Sequence, residues 1–216
     1  MRSLLTQFPN AKWHQFEPVN NDNAFEGSKL AFGEPVQTQY RFDKADIVLS
    51  LDADFIAQGP AHIRYAHDFA IRRRVQGSHA NMSRLYVAES MPSVTGSMAD
   101  HRLRVRTSHV ESIARAVAAA LHVDSVSSMN LSDNHQRWVD VIVDDLRAHK
   151  GRSIVVPGAL QPPVVHALSH AINIVLSNIG QTVVYTDPVE ASPVNQLASL
   201  QSLTAELDAG QVDLLV

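Results

Sequence analysis

Ala45-Asp46-Ile47-Val48-Leu49-Ser50-Leu51 is a short, apolar, partly β-branched run that Asp52-Ala53-Asp54 brings to a halt. A run of this length with almost no polar alternation reads as a strand buried on both faces, the type that parallel sheets use. Outward from it, Gly59-Pro60 opens a helical stretch from His62 to Val75. Arg84-Leu85-Tyr86-Val87-Ala88 and Leu103-Arg104-Val105-Arg106 are the next strand candidates. Ser108 with Glu111 three residues on has the form of a capping box, and Val110, Ile113, Ala114, Val117 and Leu121 follow at helical spacing.

The second half continues the alternation. Asp133 is placed to cap a helix with Trp138, Val139, Ile142, Val143 and Leu146 on one face, and Gly151 stands where a left-handed residue closes a helix. Strand Ser153–Val156 leads through Pro157-Gly158 into a helix from Pro162-Pro163 to Gly180. Strand Thr182–Tyr185 follows, then a helix with Leu197, Leu200, Leu203 and Leu207, then Val212–Val216. The expectation is an α/β fold in which parallel sheets are flanked by helices and joined by right-handed crossovers. Turn formers crowd the first forty residues (Pro9, Pro18, Asn20 to Asn23, Gly27, Gly33, Pro35), so this part is expected to be mostly loop. Ser125, Ser127, Ser128 and Asn130 dilute the apolar pattern between His122 and Ser132, dividing the chain into two Rossmann-like lobes, 1–125 and 126–216. Val212–Val216 reads as a buried parallel strand. Such strands hand the chain on to a βα loop, so the sequence is expected to be a piece of a longer protein.

Composition narrows the function. The 216 residues are 45% hydrophobic and 19% charged, an ordinary globular balance. Lys and Arg number 18 against 22 Asp and Glu, so the net charge of −4 gives no footprint for wrapping nucleic acid or gripping an anionic membrane. With no Cys, the chain itself offers no disulfide, thiolate zinc site, Cys nucleophile or Cys-ligated cluster. The segment from Met1 to Pro9 lacks an apolar core followed by a small-residue cleavage site, and Val164–Ile179 is interrupted by His166, His170, Asn173 and Ser177.

Asp52 and Asp54 end an apolar strand, where open α/β sheets place ligands. Two residues apart on an extended strand, they face one way and have the form of a DxD pair sharing Mg²⁺ or Mn²⁺ in a nucleotide-sugar glycosyltransferase. The plainer reading is one carboxylate capping a turn and the other solvated. His166 and His170, four apart on a helix, have a metal-capable spacing but no Glu beside His166, and equally form the polar edge of a buried helix. No metal site is assigned. Gly158 stands between strand and helix, either as part of an anion cradle or as a tight turn; there is no G-x-G-x-x-G and no Walker lysine. Arg72-Arg73-Arg74 is either a solvated helix end or a docking patch. No G-x-S-x-G places a hydrolase nucleophile.

The same segments carry a family resemblance. Ala45 to Phe55 resembles the first strand of the molybdopterin-oxidoreductase-like family, in the branch of variant Tat-translocated iron–sulfur/molybdopterin oxidoreductase subunits. Gly59-Pro60-x-His62-x-Arg64-Tyr65-Ala66-x-Asp68-Phe69 is similar to the sequence that follows it there. Arg84 to Leu103, with Pro92, Thr95, Gly96 and Ala99-Asp100, extends the likeness, as does Trp13-His14-Gln15-Phe16-Glu17-Pro18-Val19 with Asp22-Asn23 upstream. The resemblance covers nearly the whole chain. The branch includes the large extrinsic subunit of alternative complex III, a respiratory quinol:electron-acceptor oxidoreductase, in which a separate ferredoxin-like part carries the iron–sulfur clusters.

By this resemblance, the chain is an internal piece of the molybdopterin-like part, on the periplasmic side of a membrane-attached complex. Its partners are the parent's iron–sulfur domain and other subunits, with neither nucleic acid nor direct membrane insertion. Asp52, Asp54, Glu89, Thr95 and Gly158 fall at positions that in cofactor-binding relatives hold molybdopterin guanine dinucleotide. The departures are specific. Asp52-Ala53-Asp54 replaces the Gly-Ala-Asn-Pro of those relatives, and each carboxylate about 5 Å from a phosphate charge costs about 3 kcal/mol at an effective dielectric near 20. Glu89 replaces an Asp directed at guanine. The expectation is a cofactor-free scaffold without chemistry of its own. The alternatives are the cofactor-binding part of an active molybdenum oxidoreductase and, from another class, the DxD glycosyltransferase.

Overall fold

The computed structural model describes residues 2–75, 82–127, 129–190 and 192–216. In chain order the elements are α1 (Arg2–Gln7), α2 (Asp22–Phe32), β1 (Gln37–Tyr40), β2 (Ile47–Leu51), α3 (His62–Arg72), β3 (Arg84–Glu89), α4 (Val94–Ser97), β4 (His101–Arg104), α5 (Val110–Ala120), α6 (Asp133–Ala148), β5 (Ser153–Pro157), α7 (Pro163–Val175), β6 (Val183–Thr186) and α8 (Gln196–Asp208).

The expected α/β class with a helix-flanked parallel sheet is present. β2, β3, β4 and β5 form one parallel sheet in the order β4-β3-β2-β5. All five residues of β2 are buried, which explains its unbroken apolar reading. Its side chains alternate between layers. Ile47, Leu49 and Leu51 face the core shared with α5, α6 and α7, while Val48 faces Phe42, Phe55 and Phe69. After β2 the chain winds to one side for β3 and β4, then crosses to the other for β5. The crevice beyond the carboxyl ends of β2 and β5 is therefore the topological switch point.

Several expectations need correction. Thr182–Tyr185 does not extend the parallel sheet; β6 pairs antiparallel with β1 in a separate two-stranded sheet. Val212–Val216 forms no strand, and Leu214, Leu215 and Val216 are exposed. The outer edge of β5 is already closed by side chains. Val155 donates its N–H to Asn173 Oδ1 (3.1 Å) and accepts Asn173 Nδ2 on its carbonyl (2.8 Å). Ser153 donates to Asn178 Oδ1 (3.4 Å) and accepts from Thr182 Oγ1. Pro157, the next position of the same parity, has no N–H to offer.

The first forty residues are not mostly loop, because α1, the 11-residue helix α2 and β1 all form there, with Asn23 and Gly27 inside α2. Gly33, at φ 79°, ends it by donating to the Lys29 carbonyl at 2.8 Å. Gly27 lets α2 approach α7, since a Cβ there would lie 2.3 Å from His166 Cβ. The third strand lies two residues earlier than expected, at His101–Arg104. The capping box is absent: Thr107–His109 forms a 3₁₀ turn, and Glu111 instead accepts from Arg115 at 2.7 Å. Ser132, not Asp133, precedes α6, with no side-chain cap bond. α3 stops at Arg72, short of Val75, and α7 stops at Val175, with Ser177 at φ 56° turning the chain before Gly180. The four strands come from both sides of the 125/126 boundary expected from sequence, and α5 packs on α6 across it. Ser128, one of the residues marking that boundary, lies outside the described residues.

Candidate functional site

β2 ends at Leu51, and the chain leaves it through Asp52 at φ 62°, a left-handed conformation that Asp tolerates better than most residues. This turn breaks the strand alternation on which a shared DxD site depends. Asp52 sends Oδ2 to Gln161 Nε2 (2.8 Å) and Oδ1 to the Ser90 N–H (3.4 Å). Asp54 goes elsewhere: its Oδ1 accepts both the Thr95 N–H (2.9 Å) and the Thr95 hydroxyl (2.8 Å). Asp52 thus ties the end of β2 to Ser90 and Gln161, whereas Asp54 ties it to Thr95 in α4. Burial raises the Asp52 pKa above the usual carboxylate value, against the hydrogen bonds from Ser90 and Gln161 and with a smaller push from the Glu89 charge.

Glu89, at the end of β3, is 2% exposed. Its carboxylate pairs with Arg102 and accepts the Ser93 hydroxyl at 2.6 Å. Gly96 packs on it, for a Cβ there would lie 1.8 Å from Glu89 Oε1. Thr95 is fully buried, and its Oγ1 also accepts the Ile56 N–H at 3.1 Å.

Gly158 brings two backbones together rather than forming an anion cradle. A Cβ on it would lie 2.1 Å from the Asp52 carbonyl oxygen, and its N–H donates to the Leu51 carbonyl at 2.9 Å. Glycine is needed here for close approach across the switch point.

His166 and His170 lie on the buried side of α7, 4% and 5% exposed. Burial lowers both rings to about 4, so they are neutral near pH 7. His170 Nδ1 lies 3.0 Å from the Tyr185 hydroxyl, while His166 Nε2 has no hydrogen-bond partner. Among the described residues, no group of three or more His, Asp or Glu side chains is placed to hold a metal ion. In the arginine run, Arg72 pairs with Asp46, and Arg73 clamps Asp100 through two bonds of 2.6 and 2.8 Å. That commits two of the three guanidinium groups within the fold.

A cavity of about 690 Å³ opens at the switch point, between the ends of β2 and β5, α2, β1 and α3. Asp52 and Asp54 line it, together with Phe25, Tyr40, Tyr65 and His166. Glu89, Thr95 and Gly158 are not among its lining residues. Sequence reasoning missed Gln161, Arg102 and the two tyrosines. Nothing in the sequence marks Gln161 or the tyrosines, whereas the alternation Arg102, Arg104, Arg106 does mark a half-exposed strand. A scan against protein-family models finds no match to the chain, and a search of curated proteins finds none either.

Proposed function

We propose that this chain is a cofactor-free scaffold piece of a molybdopterin-oxidoreductase-like subunit in a respiratory quinol:electron-acceptor oxidoreductase complex. The family comes from the sequence resemblance described above. The single observation that supports its cofactor-free form is the internal commitment of the would-be cradle. A pyrophosphate needs free N–H donors and positive potential. Here the Gly158 N–H is taken by Leu51, the Thr95 N–H is taken by Asp54, and two carboxylates stand at the end of β2. Glu89, paired with Arg102 and Ser93, has no spare bidentate edge for a guanine. These residues do not fit a pterin dinucleotide, and no chemical step is assigned to them.

In this reading the chain packs against the parent's iron–sulfur domain and neighbouring subunits on the periplasmic side of a membrane-attached complex. No helix among the described residues is long and apolar enough to cross a membrane; attachment through partners is part of this reading. The glycosyltransferase reading is weakened by the separate commitments of Asp52 and Asp54. The test is pterin fluorescence after acid release, with molybdenum analysis, on the intact parent protein. Background levels of both are expected. A stoichiometric pterin or molybdenum signal overturns the scaffold reading in favour of an active oxidoreductase.

A further inference from the structure

The cavity at the switch point remains after the dinucleotide is set aside, and its lining has a definite chemical preference. At about 690 Å³ it has the size of a small-molecule site. Asp52, Asp54 and Glu190 border it against a single guanidinium, Arg64. That guanidinium is already engaged: Nη2 donates to the Tyr40 carbonyl at 3.0 Å, and the group lies 5.0 Å from the Tyr65 ring centroid. Asp54 commits only Oδ1 to Thr95, which leaves Oδ2 without a protein donor among the described residues.

Three ligand classes can be compared. A phosphate or carboxylate meets an excess of negative charge, three carboxylates against one guanidinium. A wholly apolar molecule strands Asp54 Oδ2 away from water. A cation with an aromatic body places its charge beside Asp54 and its body on the aromatic wall of Phe25, Tyr40 and Tyr65. Rings of that wall already take cations within the fold, since Lys29 Nζ lies 5.2 Å from the Phe25 centroid and Arg64 covers Tyr65. His166 and His170, being neutral near pH 7, do not oppose a positive ligand.

We propose that this cavity binds a small organic cation with an aromatic body, held by Asp54 and the tyrosine wall, with Glu190 at the rim. The inference rests on the reading that no dinucleotide fills the switch point. Calorimetric titration of the full chain with benzyltrimethylammonium tests it, with benzyl alcohol and benzylphosphonate as the uncharged and anionic counterparts. The cation should bind about tenfold more tightly than either. Asp54→Asn keeps Oδ1 for Thr95 while cancelling the charge, and should weaken cation binding about tenfold without moving the thermal midpoint. If that variant is destabilised, Glu190→Gln at the exposed rim decides, with an expected loss of about threefold.

Benzylphosphonate binding as tightly as the cation overturns the proposal. So does an absence of cation binding up to about 10 mM, or affinity unchanged in well-folded forms of both variants. Pterin analysis separates the two readings: a pterin-free protein that binds no cation removes this inference alone, whereas stoichiometric pterin removes the scaffold reading with it.

Discussion

The parallel sheet and the outer layer made by residues 2–21 with α8 are held by different forces. In the sheet, Val48, Leu49, Leu51, Leu85 and Val155 are fully buried, and even the free edge of β5 is satisfied. In the outer layer, no residue of α8 is buried, and Phe8, Trp13, Phe16 and Val19 are exposed. Its attachments are polar. Asp22 accepts the N–H groups of Gln196 (2.8 Å) and Leu197 (3.1 Å) at the start of α8, His14 lies 3.2 Å from the Ser199 hydroxyl, and Glu17 donates its N–H to Gln196 at 2.7 Å. Apolar burial and closed backbone pairing resist local opening, whereas exposed polar contacts contribute little each. The outer layer is therefore expected to open first and the sheet last, an order that native-state hydrogen exchange reads directly.

The sharpest way to break the contrast is Gly158→Ala. The neighbour of the added methyl is backbone, the Asp52 carbonyl at 2.1 Å, and a backbone group has no rotamer to yield. A loss of about 3 kcal/mol or more is expected in denaturant unfolding; wild-type stability would mean that the 52–54 turn is soft. Asn173→Ala comes next. It leaves the N–H and carbonyl of Val155 unpaired and removes a partner of Asn178, for about 2–3 kcal/mol and faster exchange at the Val155 amide.

A pH series sharpens the comparison further. The rings of His166 and His170 titrate at about 4 when folded against 6.5 when exposed, so between those values the unfolded chain binds the extra protons. Stability is full above pH 6.5 and declines as pH falls toward 4, by about 3 kcal/mol for each ring across the window. Below that, Asp100, held under its ordinary value by Arg73, adds a further loss as it protonates. His170→Phe should flatten the slope between pH 6.5 and 4 in unfolding curves taken at each pH; an unchanged slope would exonerate this ring. The smallest effect belongs to the exposed segment that follows α8. Leu214→Ser, at a residue 79% exposed, should shift stability by no more than about 0.5 kcal/mol.

The division between legible and illegible parts follows the same line. β2, β3, β5 and the helices between them were readable because each buries a face, and burial imposes periodicity on the residues. The pairing of β6 was not. Val183–Thr186 has the composition of a parallel strand, and its pairing with β1 goes with the closing of β5 by Asn173, Asn178 and Thr182, tertiary contacts with no periodic trace. α2 was hidden because its interior Gly27 looks like a turn residue in sequence and serves as a packing notch in the fold. At the site, the positions of Asp52 and Asp54 at the end of the first strand were legible as ligand-site candidates, but their partners were not. Gln161 reaches Asp52 across 109 positions, and Thr95 reaches Asp54 across 41. The positive φ of Asp52, which separates the two carboxylates, leaves no mark on composition.

The asparagine seal on β5 also governs how copies of the chain can meet. A ribbon that lengthens without limit needs two sticky margins, one to give and one to receive. The four-stranded sheet has β4 at one margin, where Arg104 and Arg106 are exposed, and a plugged margin at the other. Extension of this sheet by a second copy would thereby have to use the β4 margin. Unplugging Asn173 would supply the second sticky margin that fibre growth requires.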